Sequence, residues 1–518
     1  MYRMSKRLIS LLGLWSALAW AGGADGRGIP RAWVGGMLDS PARVAGMSDS
    51  RGDGEGVDTL SITMAEAIRL GQEQSSEAQA ARHQLEAAEW SYRAHRANYL
   101  PSVSLSSSPN LNRQLNSITQ NDGTNAFVQQ NQLSSDLSLS VTQNVALTGG
   151  SFFLRSSLRR QDEFHNRLHA YSSTPFVAGY QQNLLGYNSL RWAQRTEPLR
   201  YRRALKQFRE TMELVASRAS SYFYALAAAQ TELDIARQNQ LVADTLHRYA
   251  QGRYGIGTIT ENDMLQLEVN KLSGETDRMD AEISMDEAMQ TLRSFLGFRG
   301  DVVLRAVPDT VIPDCQLSVD EALSAAMTHS PDPDYYELMR LESRSSLAQA
   351  KANRGLRADL YVQFGLSQTG PTVGDSYRHP LNQEYASLGL SLPLLDWGRG
   401  RGRVQVARSQ LELTETQAEQ GMTDFRLNVV KMVRQFNVQG HRVEVAWRKR
   451  QTALRRYEVA RWLYVQERST LLEFNNSVVE KDAAQRAYIS ALRTYWSLYY
   501  GLRSMCGTEI FENKGNEL

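Results

Sequence analysis

Residues 390–403 read LSLPLLDWGRGRGR, and residues 181–192 read QQNLLGYNSLRW. In both stretches a strand-like segment meets an aromatic residue beside a glycine or an asparagine, and arginine follows within a few positions. Aromatic side chains followed by positive charge are typical of the point where a membrane strand leaves the hydrocarbon for water. The repeated boundary favours membrane strands in each half of the chain; the alternative is the end of a strand in a water-soluble sheet.

The strands before these boundaries alternate strictly between large apolar and small or polar residues. In the second half, Leu388, Leu390, Leu392 and Leu394 share one face, and Ser387, Gly389 and Ser391 share the other. A period of two places alternate residues on opposite faces of a sheet. We expect the leucine face to contact lipid and the small polar face to line a water-filled lumen. Because unpaired strand edges cannot lie in lipid, such strands must close into a barrel.

The helix starts and the strand ends give different offsets between the two halves. Thr63 and Ser318 each open a capping-box pattern with glutamate three positions later, and they stand 255 residues apart (318 − 63). The strand exits stand 210 residues apart (392 − 182), so the first half holds 45 extra residues (255 − 210). We predict either an extra strand hairpin within residues 110–175 or a long polar loop there. The stretch QNVALTGG at 143–150 is a partial third copy of the strand exit.

Very long helices follow the strands in both halves. Apolar residues recur at spacings of three and four from Leu205 to Ala236 and again from Met422 to Tyr464, which is the seam of a coiled coil. Residues 190–250 would span about 90 Å as one helix. The turns YGIGTITEND (254–263) and VQERSTLLEF (465–474) then send each helix back. Rods of this length suit the wall of a tube or a fibre.

The N-terminus predicts export from the cytoplasm. A basic start, an apolar stretch and the small-residue pattern Ala19-Trp20-Ala21 form a signal peptide over residues 1–21, cleaved near Ala21. Residues 22–57 are rich in Gly, Asp and Arg and predict a flexible leader. No later run of about 18 apolar residues predicts a membrane helix.

The composition and motifs argue against several classes of function. Lys and Arg number 58 and Asp and Glu 56, so the chain has no strong positive field for nucleic acid. The sequence contains no phosphate-binding loop, no paired Cys-x-x-Cys motif and no Gly-x-Ser-x-Gly nucleophile turn. We therefore expect no enzymatic activity, no cofactor and no metal.

In its signal peptide, duplicated elements, strand exits and Gly-Thr-Ile-Thr-Glu turn, the chain resembles the TolC-like outer membrane efflux proteins over residues 60–505. The resemblance implies a mostly α fold with membrane β: a duplicated helix–strand–strand–helix–helix repeat. In it, a trimeric transmembrane β-barrel joins a long coiled-coil α-barrel tunnel. The expected domains are a first repeat at 58–300 with strands at about 100–187, a linker at 301–316, a second repeat at 317–506 with strands at about 359–397, and a tail at 507–518.

The resemblance also implies a function and partners. A homotrimer in the outer membrane of a Gram-negative bacterium, with a long periplasmic extension, would serve as the exit duct of a tripartite efflux pump. It would conduct drugs, toxic compounds or secreted peptides passively from a periplasmic adaptor (a membrane fusion protein) and an inner membrane transporter. A type I protein secretion exit is the alternative, and an exported coiled-coil scaffold without a pore is an alternative of another class. Four strands per chain would give a barrel of 12, and six would give 18.

The same resemblance suggests which residues carry the function. Glu473, Asn476 and Glu261 match the pore constriction of the family, although Glu473 alternatively caps the start of the returning helix. The adaptor is expected at the helix turns, and aromatic residues are expected at the membrane interface. The turn residues are Gly255, Gly257, Thr258, Arg468, Ser469 and Thr470, and the interface residues are Tyr187, Trp192 and Trp397.

Two cysteines lie at the boundaries of the second repeat. Cys315 precedes its first helix and Cys506 follows its last one. Export permits disulfides, and the topology of the family would bring both residues to the middle of the tunnel. We hypothesise that they form a disulfide.

Overall fold

The computed structural model describes residues 59–120, 123–164, 167–298, 302–309, 311–313, 315–466, 468–508 and residue 511. The predicted signal peptide and leader lie outside the described residues. Within the described part of the chain, no helix combines the length and the apolar character needed to cross a membrane.

Eight helices in the described residues form two sets of matching length. The first set is α1 (Met64–Gln74), α2 (Ser76–Ala97), α3 (Ser189–Gly255) and α4 (Glu261–Leu296), and the second is α5 (Val319–His329), α6 (Asp332–Arg354), α7 (Arg399–Val465) and α8 (Leu471–Cys506). Helices α3 and α7 both have 67 residues, and α4 and α8 both have 36. At 1.5 Å per residue the two longest helices each span about 100 Å, in agreement with the coiled-coil pattern of the sequence.

The first helix of each half is interrupted, whereas the repeat implied by the resemblance has a single helix before the strands. Ser75 has an extended backbone between α1 and α2, and its hydroxyl caps α2 by accepting from the Ala78 N–H. In the second half Ser330 and Pro331 separate α5 from α6, because proline lacks the N–H that a continuous helix needs. The capping box at Thr63 and Glu66 is formed. The one expected at Ser318 is wrong, since that side chain makes no cap hydrogen bond.

Six of the eight strands in the described residues form one antiparallel sheet. It is built from β2 (Ser102–Thr119), β3 (Asn125–Val145), β4 (Gly150–Glu163), β5 (Leu168–Asn183), β7 (Arg357–Gly370) and β8 (Leu381–Ser391), in the order β2-β3-β4-β5-β7-β8. The first half thus contributes four strands and the second two. The sequence left two alternatives for the extra residues of the first half, a strand hairpin or a polar loop. The structure has the hairpin, which is formed by β3 and β4.

The pairing register keeps apolar residues on one face across the sheet. Val103 lies opposite Val141, Leu105 opposite Leu139, and Leu360 opposite Leu388. The opposite face carries pairs such as Ser104 with Ser140, whose hydroxyl oxygens are 2.8 Å apart. The alternation predicted from the sequence is therefore preserved from one strand to the next.

A small parallel sheet and the main core lie at the middle of the long helices. Strand β1 (Thr59–Thr63) pairs with β6 (Val303–Val307), so the segments preceding the two repeats meet. Helices α1 and α5 pack there against α3, α7 and α8 around large buried side chains. These include Phe223, Tyr224, Leu292, Phe436, Leu492 and Tyr495. This belt fixes the positions of the four long helices relative to one another.

The hypothesised disulfide is wrong. Cys506 is a free thiol buried in this belt, and its Sγ lies 3.5 Å from the Ala322 carbonyl oxygen, to which it donates. Burial raises the pKa of Cys506 to about 12. The thiol therefore packs as a small apolar group.

Candidate functional site

The junction between β8 and α7 depends on a tight turn at Asp396–Gly398. Trp397 and Gly398 both have a left-handed backbone, with φ of 55° and 83°. The Asp396 carboxylate accepts from the N–H groups of Gly398 at 3.0 Å and Gly400 at 2.7 Å, so it supplies the cap of α7. The sequence indicated the aromatic residue and the glycine of this turn, but the side chain that closes the turn is Asp396. Its signal was an acidic residue just before the helix start.

The junction between β5 and α3 is organised by the side chain of Asn188. Asn188 has a φ of −90°, and its Oδ1 accepts from the Arg191 N–H at 2.9 Å as the cap of α3. Its Nδ2 donates to the Ala146 carbonyl oxygen at 2.9 Å. This second contact holds the turn between β3 and β4 against the helix start.

The turn at residues 146–149 is fixed by further polar contacts. The Tyr180 hydroxyl donates to Thr148 Oγ1 at 2.7 Å, and Gln182 Nε2 donates to the Thr148 carbonyl oxygen at 3.1 Å. Gly149 has a φ of 77°, and a Cβ there would lie 2.8 Å from the Asn188 side chain. A glycine is therefore required both by the backbone and by the close approach of Asn188.

The three aromatic residues expected at the membrane interface differ in their surroundings. Trp397 is 90% exposed. Tyr187 is half-buried and its hydroxyl shares a 2.5 Å hydrogen bond with the Ser345 hydroxyl on α6. Trp192 is also half-buried, beneath the guanidinium of Arg195. All three lie at the strand-to-helix junctions, and only Trp397 projects freely from the chain.

The first helix turn, between α3 and α4, is short and hydrogen-bonded. Gly257 has a φ of 73°, which favours glycine, while Gly255 is the last residue of α3. The Thr258 N–H donates to the Arg253 carbonyl oxygen at 3.0 Å. Thr260 and Asp263 form a capping box at the start of α4, so Glu261 is left as an exposed residue of its first turn.

The second helix turn, between α7 and α8, carries Glu473 as a capping residue. The Glu473 Oε2 accepts from the Ser469 hydroxyl at 2.7 Å and from the Thr470 N–H at 3.1 Å. The hydrogen bond from Ser469 and the one from the Thr470 backbone lower the pKa of Glu473, so the carboxylate stays charged. Asn476 lies three residues further on the same exposed face of α8. The Arg468 N–H donates to the Leu463 carbonyl oxygen at 2.9 Å.

The two helix turns lie near each other in the structure. Asn239 Nδ2 on α3 donates to Asp482 Oδ2 on α8 at 2.7 Å, so the helices that carry the two turns lie side by side. Within the second turn, Tyr464 at the end of α7 stacks on Phe474 with ring centroids 5.3 Å apart. Burial raises the pKa of Tyr464, and the charges of Arg253 and Asp263 on the first turn also act on it. The structure thus brings the candidate residues of both turns to one end of the molecule, opposite the sheet.

One feature of the polar sheet face was missed in the sequence. The Phe153 ring lies over Gly179, where a Cβ would come within 2.2 Å of it, and stacks on Tyr361 with centroids 5.5 Å apart. Tyr361 in turn contacts Tyr385 at 5.9 Å. These rings belong to β4, β7 and β8, so only the pairing of distant strands brings them together.

The fold matches solved outer membrane channels along most of its length. The Campylobacter jejuni CmeC outer membrane channel superposes with a TM-score of 0.62 at 12% identity, covering 88% of this chain and 89% of that one. The outer membrane protein VceC from Vibrio cholerae gives 0.61 at 14% identity, covering 86% and 96%. The open state of the Neisseria gonorrhoeae MtrE outer membrane channel gives 0.55 at 13% identity, covering 86% and 88%. The chain therefore has the fold of this class of channel.

Comparison with protein-family models gives a match in the second half of the chain. Residues 324–508 match the model of the outer membrane efflux protein family. No curated protein matches the chain by sequence. The match and the shared fold together confirm the resemblance to TolC-like outer membrane efflux proteins.

Proposed function

We propose that three copies of this chain assemble into the outer membrane exit duct of a tripartite efflux pump. The observation that carries the proposal is a pair of open edges, one on each side of the chain, that extend from the sheet into the long helices. A ring of copies joined edge to edge would pair both edges of every copy. This closed arrangement resembles the architecture expected from the sequence.

The sheet supplies the first part of each edge. Strands β2 and β8 stand at its two ends, and they run in opposite directions, as neighbours in an antiparallel sheet do. Both carry exposed apolar side chains, including Val103 and Leu105 on β2 and Leu388 and Leu390 on β8. Unpaired strand edges are not tolerated in lipid. Pairing β2 of one copy with β8 of the next would satisfy them and form a membrane barrel whose leucine face contacts lipid.

The long helices supply the second part of each edge. Contacts order them α4-α3-α8-α7, so α4 and α7 are outermost. Both carry exposed apolar residues at coiled-coil spacing. On α4 these are Leu265, Val269, Leu272, Met279 and Ile283; on the last 36 residues of α7, which match the length of α4, they include Val438, Val445 and Val459. Packing α4 against α7 of a neighbour would cover both stripes and close a tunnel of twelve helices.

The far end of the helices would be the gate and the docking site. We propose Glu473, Asn476 and Glu261 as lining the constriction, where a ring of carboxylates favours cations. The two helix turns, with Gly255, Gly257, Thr258, Arg468, Ser469 and Thr470, would meet the periplasmic adaptor that joins the duct to an inner membrane transporter. Tyr187, Trp192 and Trp397 would lie at the periplasmic membrane interface. The duct would passively conduct drugs, toxic compounds or secreted peptides, and the transporter would select among them.

The experiment is electron microscopy of the protein extracted in detergent from outer membranes. We expect a three-fold particle with a broad membrane end and a stem about 100 Å long. A single rod, or absence of the protein from the outer membrane fraction, would refute the duct and leave a coiled-coil scaffold. Deleting the gene for this protein in its host should also make the cells sensitive to toxic compounds. A defect confined to the export of one protein would instead identify a type I secretion exit.

A further inference from the structure

The number of strands does not match the number of long helices. Each chain contributes six strands to the large sheet but four long helices to the stem. Strands β2, β5, β7 and β8 each connect directly to a helix at the periplasmic side, whereas β3 and β4 connect only to other strands. The β3–β4 pair is thus an addition to the sheet with no counterpart in the stem.

The added pair is integrated in the sheet and is not an appendage on it. β3 pairs with β2 along all 18 residues of that strand, and with β4 from Gln132 to Val145. β4 pairs in turn with β5. The apolar face continues through it, with Val141 between Val103 and Leu154. Its inner turn is held to the start of α3 by Asn188.

Strand number sets the width of a barrel. With strands about 4.8 Å apart and tilted by about 40°, 12 strands give a backbone diameter of about 24 Å and 18 give about 36 Å. Side chains occupy about 5 Å of each wall, leaving about 14 Å or about 26 Å. A ring of twelve helices spaced about 9.5 Å apart has a diameter of about 36 Å between axes. Eighteen strands therefore match the width of the stem.

We propose that the β3–β4 hairpin widens the outer end of the duct to an 18-stranded barrel as broad as the helical tunnel. This inference rests on the proposed trimeric duct. An α-helix with its side chains is about 10–12 Å across, so a lumen of about 26 Å passes cargo as thick as two packed helices. A lumen of about 14 Å passes one. The barrel then imposes no second constriction, and the cargo extends to polypeptides that retain secondary structure.

Polymer exclusion in planar bilayers tests this width. Poly(ethylene glycol) of graded size is added to the outer side of the full mature protein, and the largest polymer that still lowers the conductance is recorded. We expect entry of polymers up to about 26 Å in diameter, by the strand geometry above. A variant lacking residues 125–163 joins β2 to β5 through the existing outer loops and should lower the cut-off to about 14 Å.

A matched control shortens the same region without changing the strand number. β2 and β3 extend beyond β4, since β3 meets β4 only from Gln132 onward. Replacing residues 115–129 by an Asn-Gly turn trims this extension and should leave the cut-off unchanged. An equal cut-off in the wild type and the hairpin deletion would overturn the proposal.

Strand counting by electron microscopy keeps the test decisive if the deletion does not assemble. Eighteen wall strands in the wild-type particle support the proposal. A three-fold particle with 12 wall strands and the hairpin outside the wall would overturn it while the proposed duct stands. A particle without three-fold symmetry would refute the duct itself.

Discussion

The Nδ2 atom of Asn188 donates to the Ala146 carbonyl oxygen at 2.9 Å, joining the start of α3 to the turn between β3 and β4. The same side chain caps α3 through Oδ1. Asn188 thus connects the added hairpin to the start of α3.

Asn188→Ala should remove both contacts and destabilise the junction by about 1–2 kcal/mol, the usual range for a lost cap with an added hydrogen bond. The measurement is the temperature at which the assembled protein unfolds in detergent. Asn188→Asp keeps the capping oxygen and loses the donor, so its unfolding temperature should lie between those of the alanine variant and the wild type. Equal values for all three would show that the contact has no energetic role.

Asp334 on α6 forms a half-buried ion-pair cluster with α3. It accepts from Arg202 at 2.7 Å and lies 2.9 Å from Lys206 Nζ. Asp334→Ala leaves Lys206 without this partner in a mostly buried position and should destabilise the protein by about 2 kcal/mol, discounted because Arg202 is half-exposed. Glu337→Ala, which removes a longer exposed pair with Arg202, should change stability by less than about 1 kcal/mol.

The ion pairs of Asp334 also predict that the stability of the protein decreases in acid. Burial acts to raise the pKa of Asp334, but hydrogen bonds from Arg202 and Lys206 hold it below the ordinary value of 3.8. Its stabilisation is therefore complete above about pH 4 and is lost as the pH falls through the depressed pKa. Unfolding temperatures of the wild type and Asp334→Asn should converge in that acidic range; parallel curves down to the lowest pH would contradict the prediction.

Glu210 on α3 should make stability depend on pH in the opposite direction, with a loss of stability as the pH rises. Burial, with a contribution from the negative charge of Asp332, raises the pKa of Glu210 from 4.5 to about 7. The folded protein then retains a proton that the unfolded chain releases, so stability falls as the pH rises from 4.5 to 7. Glu210→Gln should flatten this slope and stabilise the protein at pH 8 by about 1–2 kcal/mol after allowance for solvent screening. A slope unchanged in the variant would exclude Glu210 as its source.

Glu473 permits a test that separates its charge from its capping role. Glutamine at this position of a capping box still accepts from the backbone, so Glu473→Gln should weaken cation preference in single-channel recordings with little loss of stability. Glu473→Ala should weaken both. Glu261→Gln is the matched change on the other helix turn, where Asp263 provides the cap. Unaltered selectivity in Glu473→Gln would remove this residue from the pore.

The glycines of the first helix turn should respond differently to alanine. Gly257 has a φ of 73°, so Gly257→Ala should distort the turn at a cost of about 1–2 kcal/mol. Gly255 is helical with open space around its Cα, so Gly255→Ala should be neutral or slightly stabilising. If the adaptor docks here, efflux-dependent resistance should fall in Gly257→Ala and persist in Gly255→Ala. Equal resistance in both would direct the search for the docking site elsewhere.

Local patterns predicted the elements well because they depend on neighbours in the chain. The 3-4 spacing after Leu205 and Met422 corresponds to the 67-residue helices, and the period of two corresponds to the sheet faces. The single helix that the implied repeat places before the strands is instead two helices in each half, because the extended backbone of Ser75 and Ser330 ends the first one. The candidate helix turns were found from glycine, threonine and acidic residues, whereas the capping role of Asp396 required the geometry of the turn.

By itself the sequence determined the duplication, the length of the helices that follow the strands, the alternation of the strands and the resemblance to outer membrane efflux proteins, since each follows from spacing along the chain. Only the tertiary structure decided that the 45 extra residues pair as β3 and β4, that Asn188 holds their turn, and that Cys506 is a buried thiol. These outcomes depend on which distant segments meet. A periodic pattern fixes the face of a strand or helix, but the pairing of that face is selected by the packing of the whole chain.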